Sequence, residues 1–143
     1  MMKDNVILSV DKEIEIRFNE VDMMGVVWHG AYAAYLEDAR EAFGAKYGLS
    51  YMKYITEYTF APIVELQISY KKPLTYGMHP VVRINYRPCD AAKILFDYEI
   101  INPEDGEVFL KASSVQVFMD RNYNLLWESP AFYDDWKKQM GLE

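Results

Sequence analysis

The sequence is short of the residues on which disulfide frameworks and metal centres depend. Its 143 residues include one cysteine, Cys89, and two histidines. A single thiol cannot form an internal disulfide, and an unpaired cysteine is typical of a reducing compartment. The histidines and the cysteine show no metal-ligand spacing, so we expect no metal site.

Long apolar runs and an excess of positive charge are also missing. No segment reaches the roughly 20 apolar residues that a membrane-spanning helix needs, and the first ten residues, MMKDNVILSV, contain no apolar core of a signal peptide. The formal net charge of −7 argues against a general binder of nucleic acids or anionic membranes. We therefore expect a cytoplasmic protein with no membrane insertion and no nucleic-acid partner.

Two further motifs are absent. No serine lies in a nucleophile-elbow context, which argues against a Ser-His-Asp hydrolase. No glycine-rich phosphate-binding motif is present either, so a nucleotide cofactor is not expected.

What is present fits one globular domain over residues 1–143. Hydrophobic residues make up 51% of the chain, which is enough for a real core at this length. The twelve tyrosines suit pockets and interfaces as well as a core, because a tyrosine can bury its ring and keep its hydroxyl hydrated.

Hydrophobic periodicity predicts one long helix and five or six strands. The helix begins near His29 or Gly30 and ends at Tyr47, before Gly48, with a short helix expected between 51 and 58 and a helical turn near Phe132. Alternating residues predict strands at 13–19, 65–70, 81–86, 94–100 and 107–120, with a short sixth at 125–127. The fold class is therefore α+β. One helix covers only one face of such a sheet, so we expect a second copy of the chain to cover the apolar surface that stays exposed.

The stretch 19–40, NEVDMMGVVWHGAYAAYLEDAR, combines a turn, titratable groups and a helix N-terminus. Donors at the helix start can polarise a carbonyl, and Asp22 could act on that carbonyl as nucleophile or base. The apolar neighbours of Asp22, including Met23 and Met24, are expected to exclude water and raise its basicity. The alternative is that Asp22 is an ordinary capping or turn aspartate in a strand-to-helix connection.

The spacing in this stretch resembles the signature of the 4-hydroxybenzoyl-CoA thioesterase family, which includes the Tol–Pal-associated type. The matching residues are Asp22-x-x-Gly25-Val26-Val27-Trp28-His29-x-x-Tyr32 and then Glu37-x-x-Arg40. Weaker similarity continues at 62–64, at 70–74, around Gly106 and at 115–120. The departures are Val21 before the aspartate, and Met23 and Met24 after it.

The resemblance implies a hotdog fold, in which an antiparallel sheet of five or six strands wraps one long central helix. It implies hydrolysis of an acyl-CoA thioester to a free acid and CoA without a cofactor. Asp22 and His29 are the implied catalytic residues, with the His29 backbone N–H at the thioester oxygen; the His29 side chain either orients the substrate or packs beside Trp28. A homodimer, further paired into a homotetramer, is implied, with sites at subunit contacts.

Other residues of the motif receive supporting roles. Val27, Trp28 and Tyr32 are candidates for contact with the substrate. Glu37 is the alternative acid, but its spacing from Arg40 favours an ion pair or a role at the subunit contact. The segment from Lys71 to Lys93 contains five basic residues and one acidic residue. Lys71, Arg83, Arg87 and Lys93 are therefore candidates for binding the phosphates of CoA.

Three other functions stay open. An acyl carrier protein could carry the thioester in place of CoA. The chain could be a hydratase or dehydratase, although His29 and Glu37 are too closely spaced for that motif. It could also be a non-catalytic protein that binds acyl thioesters.

Overall fold

The computed structural model describes residues 7–142. Five strands and three α-helices make up most of this part of the chain: β1 (Ser9–Glu13), α1 (Ala31–Tyr47), α2 (Tyr51–Thr56), β2 (Ile63–Tyr70), β3 (Val81–Arg87), β4 (Lys93–Ile101), β5 (Val108–Val117) and α3 (Ala131–Gln139). A short 3-10 helix at Phe18–Glu20 lies between β1 and α1. The strands form one sheet in the order β1-β3-β4-β5-β2, with every neighbouring pair antiparallel. The α+β class and a five-stranded sheet are thus confirmed.

The inner face of the sheet packs against α1 because its strands alternate as the sequence predicts. Val82, Ile84, Ile94 and Ile100 are fully buried, whereas Arg83, Asp97 and Glu99 on the opposite face are polar. From α1, the buried side chains are those of Tyr32, Tyr35, Leu36, Ala39 and Phe43, at the spacing of one helical face. The sheet therefore wraps one long helix, which is the hotdog arrangement.

The end of α1 lies where the sequence predicts it, at Tyr47 before Gly48. Gly48 closes the helix in the left-handed region, with a φ of 87°, and its N–H donates to the carbonyl of Gly44. A residue with a Cβ is disfavoured at this φ, so the glycine marks the helix end. The start lies at Ala31, with Gly30 as the N-cap, one or two residues later than predicted.

The first strand was predicted at 13–19, and this is wrong. β1 ends at Glu13, and Ile14 donates to the carbonyl of Pro80 just before β3 begins. The ladder stops there because its partner strand stops. Ile14 and Ile16 are nevertheless buried, so the alternation reflects core contacts of an extended segment and not a strand.

The C-terminal third differs in two details. β5 covers 108–117 and lies between β4 and β2, so its predicted interior position is confirmed although its predicted length, 107–120, is not. The sixth strand at 125–127 does not form among the described residues; only an isolated bridge joins Leu125 to Met119. The predicted C-terminal turn is a full helix, α3, which buries Tyr133 and Trp136.

β2 is an edge strand, and its inner face is only partly covered. Val64, Leu66 and Tyr70 are exposed by 51%, 39% and 51%. Apolar side chains at these levels on a sheet edge are unusual, because an uncovered edge strand invites pairing with another chain.

Candidate active site

The segment before α1 folds into a tight hairpin that presents Asp22. The N–H of Trp28 donates to the carbonyl of Glu20 at 3.0 Å, and the N–H of Asp22 donates to the carbonyl of Val26 at 2.9 Å. Gly25 completes the turn with a φ of 79°, which glycine adopts without strain. Asp22 pairs with Val26 and Trp28 with Glu20, two residue pairs further along the hairpin. The two pairs are therefore about 7 Å apart along the strand direction.

The carboxylate of Asp22 combines a structural role with an available oxygen. Its Oδ1 accepts the backbone N–H groups of Met24 at 2.9 Å and Val26 at 3.3 Å, as in an aspartate that closes a turn. Within residues 7–142, no hydrogen bond reaches Oδ2, and the side chain is exposed. The turn interpretation is therefore correct for one oxygen and leaves the other free for chemistry.

The start of α1, a few residues after Asp22 in the chain, supplies backbone donors. The N–H of Ala31 donates to the carbonyl of Trp28, but no hydrogen bond within the described part of the chain uses the N–H groups of His29 or Gly30. A helix N-terminus with unpaired N–H groups carries a partial positive charge that can stabilise an oxyanion. The N–H groups of His29 and Gly30 are therefore available as hydrogen-bond donors at the start of α1.

A small pocket of about 260 Å³ opens beside the helix start. Its walls are formed by Val27, His29, Tyr32, Tyr70, Lys71, Lys72 and Pro73. The hydroxyl of Tyr70 donates to the carbonyl of His29 at 3.2 Å and so joins β2 to the segment that enters α1. Four of the predicted residues therefore meet here: Val27, His29, Tyr32 and Lys71.

Tyr32 forms a rigid wall of this pocket. The side chain is buried, and its hydroxyl oxygen accepts the N–H of Leu74 at 3.1 Å. Burial raises the pKa of Tyr32 above its ordinary value, so the phenol stays protonated near neutral pH. Its ring meets that of Tyr70 edge-on, with centroids 5.2 Å apart.

Trp28 and His29 pack against each other at the helix entrance. Their ring centroids are 5.5 Å apart in an edge-to-face arrangement, which is the packing alternative for the His29 side chain. The Trp28 ring also lies over Gly30, where any Cβ would overlap it. Trp28 remains 49% exposed, so it can still contact a ligand.

Two expectations about this site are wrong for the single chain. Met23 and Met24 do not shield Asp22 from water, because both side chains are exposed, by 104% and 81%. Glu37 and Arg40 form no ion pair among the described residues. Arg40 instead donates to the hydroxyl of Tyr98 at 3.1 Å, while Glu37 is exposed at the helix surface.

The predicted phosphate-binding residues do not form one group. Arg83 is paired with Asp11 at 2.9 Å and Arg87 with Asp97 at 2.7 Å, both on the outer face of the sheet. The hydrogen bond that Arg83 donates to the Asp11 carboxylate raises the pKa of Arg83 above its ordinary value. Because β3 and β2 are three strand spacings apart, about 14 Å, Arg83 lies well away from the pocket that contains Lys71. Lys93 begins β4 on the same outer face as Arg87.

Sequence reasoning missed the residue that holds the hairpin in place. Glu20 accepts the N–H of Arg17 and the hydroxyl of Tyr35, each at 2.8 Å, and its carbonyl accepts Trp28. A carboxylate next to a buried helix-face tyrosine has no signature in the sequence, since the two residues are fifteen positions apart. Tyr70 was missed for the same reason.

The described residues contain no group of three or more potential metal ligands and no helix long and apolar enough to cross a membrane. The sheet wrapped around one long helix, together with similarity to known thioesterases, identifies an enzyme of the thioesterase class with the hotdog fold. The chain belongs to the thioesterase-like superfamily, whose model matches residues 16–138.

Individual relatives support the same class. YneP of Bacillus subtilis, to which acyl-CoA thioesterase activity is ascribed, is 37% identical over 110 residues, 77% of this chain and 79% of that protein. The chloroplastic acyl-acyl carrier protein thioesterase ATL3 of Arabidopsis thaliana is 30% identical over 78% of this chain, which spans only 58% of that protein. The crystal structure of a DHNA-CoA thioesterase from Staphylococcus aureus superposes with a TM-score of 0.75 and 27% identity, covering 94% of this chain and 92% of that one.

Proposed function

We propose that this protein is an acyl-CoA thioesterase that hydrolyses its substrate to a free carboxylic acid and CoA. The observation that carries the proposal is the arrangement of the hairpin that leads into α1: among the described residues, Oδ2 of Asp22 has no hydrogen-bond partner, and neither have the N–H groups of His29 and Gly30. The name of YneP supports CoA as the carrier of the acyl group.

The reaction needs a nucleophile or base and a site for the negative charge that develops on oxygen. In one route Asp22 attacks the thioester carbon, CoA leaves as its thiolate, and water then cleaves the acyl-aspartate anhydride. In the other route Asp22 removes a proton from water, the resulting hydroxide attacks the same carbon directly, and CoA leaves as its thiolate. In both routes the carbonyl oxygen accepts hydrogen bonds from the helix start. Neither route uses a metal or another cofactor.

The phosphates of CoA need positive charge near the site. Lys71 is the best-placed candidate because it lines the pocket and forms no ion pair among the described residues. Arg83, Arg87 and Lys93 are a second candidate group for binding the nucleotide end of CoA. They lie on the outer face of the sheet, so CoA would have to extend over that face to contact them. Two of these already neutralise carboxylates, so we expect a smaller contribution from each of them.

The active form is proposed to be at least a homodimer, with further pairing into a homotetramer. The partly exposed inner face of β2 and its edge, which pairs with no other strand of the described residues, support this assembly. A second copy would also cover Met23 and Met24, and in that way provide the exclusion of water that one chain lacks. The free thiol of Cys89 supports a cytoplasmic location.

An acyl carrier protein thioester is the second candidate substrate, and the similarity to ATL3 favours it. The shared chemistry is a thioester on a phosphopantetheine arm. Hydrolysis rates for the same acyl group on CoA and on acyl carrier protein separate the two substrates.

The Asp22→Asn variant tests the mechanism. The asparagine amide oxygen can accept the same N–H groups of Met24 and Val26, so the hairpin is retained while the charge is lost. We expect kcat to fall at least about a hundredfold on every substrate of an acyl-CoA panel. Unchanged hydrolysis by this variant would exclude Asp22 as the catalytic group, and no hydrolysis by the wild type of any thioester would favour a binding protein.

A further inference from the structure

The hairpin at residues 20–28, which carries Asp22, is attached to the rest of the fold differently on its two sides. Its second strand, residues 26–28, is held by the main chain of the segment that follows β2. The N–H of Val27 donates to the carbonyl of Leu74 at 2.8 Å. This half of the hairpin is therefore fixed by backbone contacts.

The first strand, residues 20–22, has no such backbone contact with α1 or with the sheet. Among the described residues, its main-chain hydrogen bonds all stay within residues 17–28. A side chain makes the connection instead, because Oε1 of Glu20 accepts the hydroxyl of Tyr35 on α1 at 2.8 Å. Within residues 7–142, no other hydrogen bond joins the strand of Asp22 to α1.

One oxygen of Glu20 joins three parts of the structure. Oε1 accepts the N–H of Arg17 at 2.8 Å as well as the Tyr35 hydroxyl. The bond from Arg17 caps the short 3-10 helix that leads into the hairpin, and the bond from Tyr35 attaches that helix to α1. Asp22 follows two residues later, so its position relative to the start of α1 depends on this oxygen.

Tyr35 is a well-fixed donor for this bond. Its ring is buried on the core side of α1 and meets the ring of Tyr32 edge-on, with centroids 6.1 Å apart. Burial raises the pKa of Tyr35, and the hydrogen bond to Glu20 raises it further, so the hydroxyl stays protonated and can donate. A buried tyrosine hydroxyl needs such a partner, so loss of Glu20 would leave it unsatisfied.

We infer that Glu20 and Tyr35 are positioning residues for catalysis, whose hydrogen bond sets the distance between the Asp22 carboxylate and the N–H groups at the start of α1. This inference rests on the proposed function and adds two residues that touch neither substrate nor reacting atoms. Both reaction routes need the carboxylate beside the thioester carbon while the donors bind its carbonyl oxygen. A displacement of about 1 Å can lower such a rate about a hundredfold.

The test uses the full-length protein and compares Tyr35→Phe, Glu20→Ala and Glu20→Gln on an acyl-CoA panel. Tyr35→Phe removes only the donor hydroxyl. Glu20→Gln removes the charge but keeps an oxygen that can accept both hydrogen bonds, so it is the conservative rescue. Tyr47→Phe is the matched control on the same helix, because the Tyr47 hydroxyl also donates a hydrogen bond, to the carbonyl of Ser9 at 3.1 Å.

We expect kcat to fall at least about tenfold in Tyr35→Phe and in Glu20→Ala, while KM stays within about threefold of wild type. Glu20→Gln and Tyr47→Phe should keep kcat within about threefold of wild type. The effects of Tyr35→Phe and Glu20→Ala should not add in the double variant, because both remove the same bond. In an Asp22→Asn background, Tyr35→Phe should lower the residual kcat no further, whereas a merely structural role would lower it again.

Amide hydrogen exchange measures the attachment of the hairpin without a substrate. In Tyr35→Phe the N–H groups of Asp22 and Trp28, which bond within the hairpin, should exchange at least about fivefold faster. The N–H of Val27, held by Leu74, should change less than about twofold. Thermal unfolding shows whether each variant is folded, and if Tyr35→Phe is not, the comparison of Glu20→Ala with Glu20→Gln replaces it.

Two results would overturn the inference: wild-type kcat in a folded Tyr35→Phe variant, or an equal loss of kcat in Tyr47→Phe. Failure of the proposed function is a different result, namely no hydrolysis of any thioester by the wild type. In that case faster exchange at Asp22 in Tyr35→Phe still supports the pair as the attachment of the hairpin, and unchanged exchange contradicts it.

Discussion

The hydroxyl of Tyr70 on β2 donates a 3.2 Å hydrogen bond to the carbonyl of His29. This contact joins the exposed edge strand to the residue whose N–H is proposed to bind the thioester oxygen. It therefore couples the position of the oxyanion site to the strand proposed to bind a second copy.

Removal of this hydroxyl should affect catalysis more than stability. For Tyr70→Phe we expect kcat/KM to fall several-fold, while the free energy of unfolding changes by about 1 kcal/mol or less, the usual net value of one hydrogen bond. Urea unfolding and steady-state kinetics measure the two effects. Tyr76→Phe is the control, since that ring is 59% exposed and only packs against Phe18. Equal kinetics for both variants would contradict a positioning role for Tyr70.

The close contact between Gly30 and Trp28 provides a second test of the helix entrance. A Cβ at residue 30 would overlap the indole ring, so Gly30→Ala should push Trp28 away and change its fluorescence as well as kcat/KM. The backbone is not the obstacle, because Gly30 has an ordinary helical φ of −72°. In a Trp28→Ala background the same substitution should have almost no effect. If the effects of Gly30→Ala and Trp28→Ala on kcat/KM are additive, the Gly30→Ala substitution does not act through the Trp28 ring.

Neutralising Lys71 should weaken binding of CoA esters specifically. We expect Lys71→Gln to raise KM for an acyl-CoA and to reduce the dependence of KM on salt, because one screened charge contact is lost. Lys138→Gln is the matched control on the exposed side of α3. An acyl ester of N-acetylcysteamine, which has no phosphates, should be hydrolysed equally by both variants. A Lys71→Gln variant with wild-type KM would exclude this lysine from phosphate binding.

The exposed side chains on the inner face of β2 predict that two copies of the chain associate through this strand. Leu66→Lys places a charge on the inner face of the edge strand, where burial against a second copy would be costly. We expect this variant to dissociate to a monomer in sedimentation velocity and to lose activity. Gln67→Lys, one residue on and facing outwards, should stay a dimer. A dimer that persists in Leu66→Lys would place the interface elsewhere.

The turn after β5 predicts a pH dependence of stability. Hydrogen bonds from the backbone N–H groups of Asn124 and Asn122, with a further bond from the Asn124 side chain, hold the pKa of Asp120 below its ordinary value of 3.8. Because the folded-state pKa is the lower one, the stabilisation is present above pH 3.8 and is lost as the pH falls through the folded-state pKa.

Thermal unfolding as a function of pH checks this expectation. Wild type should unfold at a higher temperature than Asp120→Asn at neutral pH, and the two curves should converge below the ordinary pKa of the carboxyl. Asp90→Asn, at an exposed residue, should follow the wild type throughout. A constant difference between wild type and Asp120→Asn at all pH values would mean that the charge is not responsible.

Much of the fold follows from patterns that act over short distances along the chain. The apolar face of α1, its end at Gly48, and the turn at 102–106 with Gly106 at a φ of 78° are set by residues within a few positions of each other. The motif from Asp22 to Tyr32 is local in the same sense. Periodicity and turn chemistry can therefore predict these features.

Features that depend on a partner from elsewhere in the chain were not predicted. The alternation at 13–19 indicated a strand, but a strand continues only while its neighbour does, and β3 starts at Val81. The sequence predicted that Arg83 and Arg87 bind phosphate. In the fold each of them pairs with a carboxylate on an adjacent strand, Arg83 with Asp11 and Arg87 with Asp97.

By itself the sequence determined the class of the protein, through the resemblance of its motif, together with the long helix and the loop that carries Asp22, because each depends on residues close together in the chain. Only the tertiary structure decided that one oxygen of Asp22 stays free, that Tyr70 meets His29, and that Tyr35 donates to Glu20. The physical reason is that pairing, burial and enclosed space arise between residues distant in sequence, and their geometry exists only once the sheet has wrapped the helix.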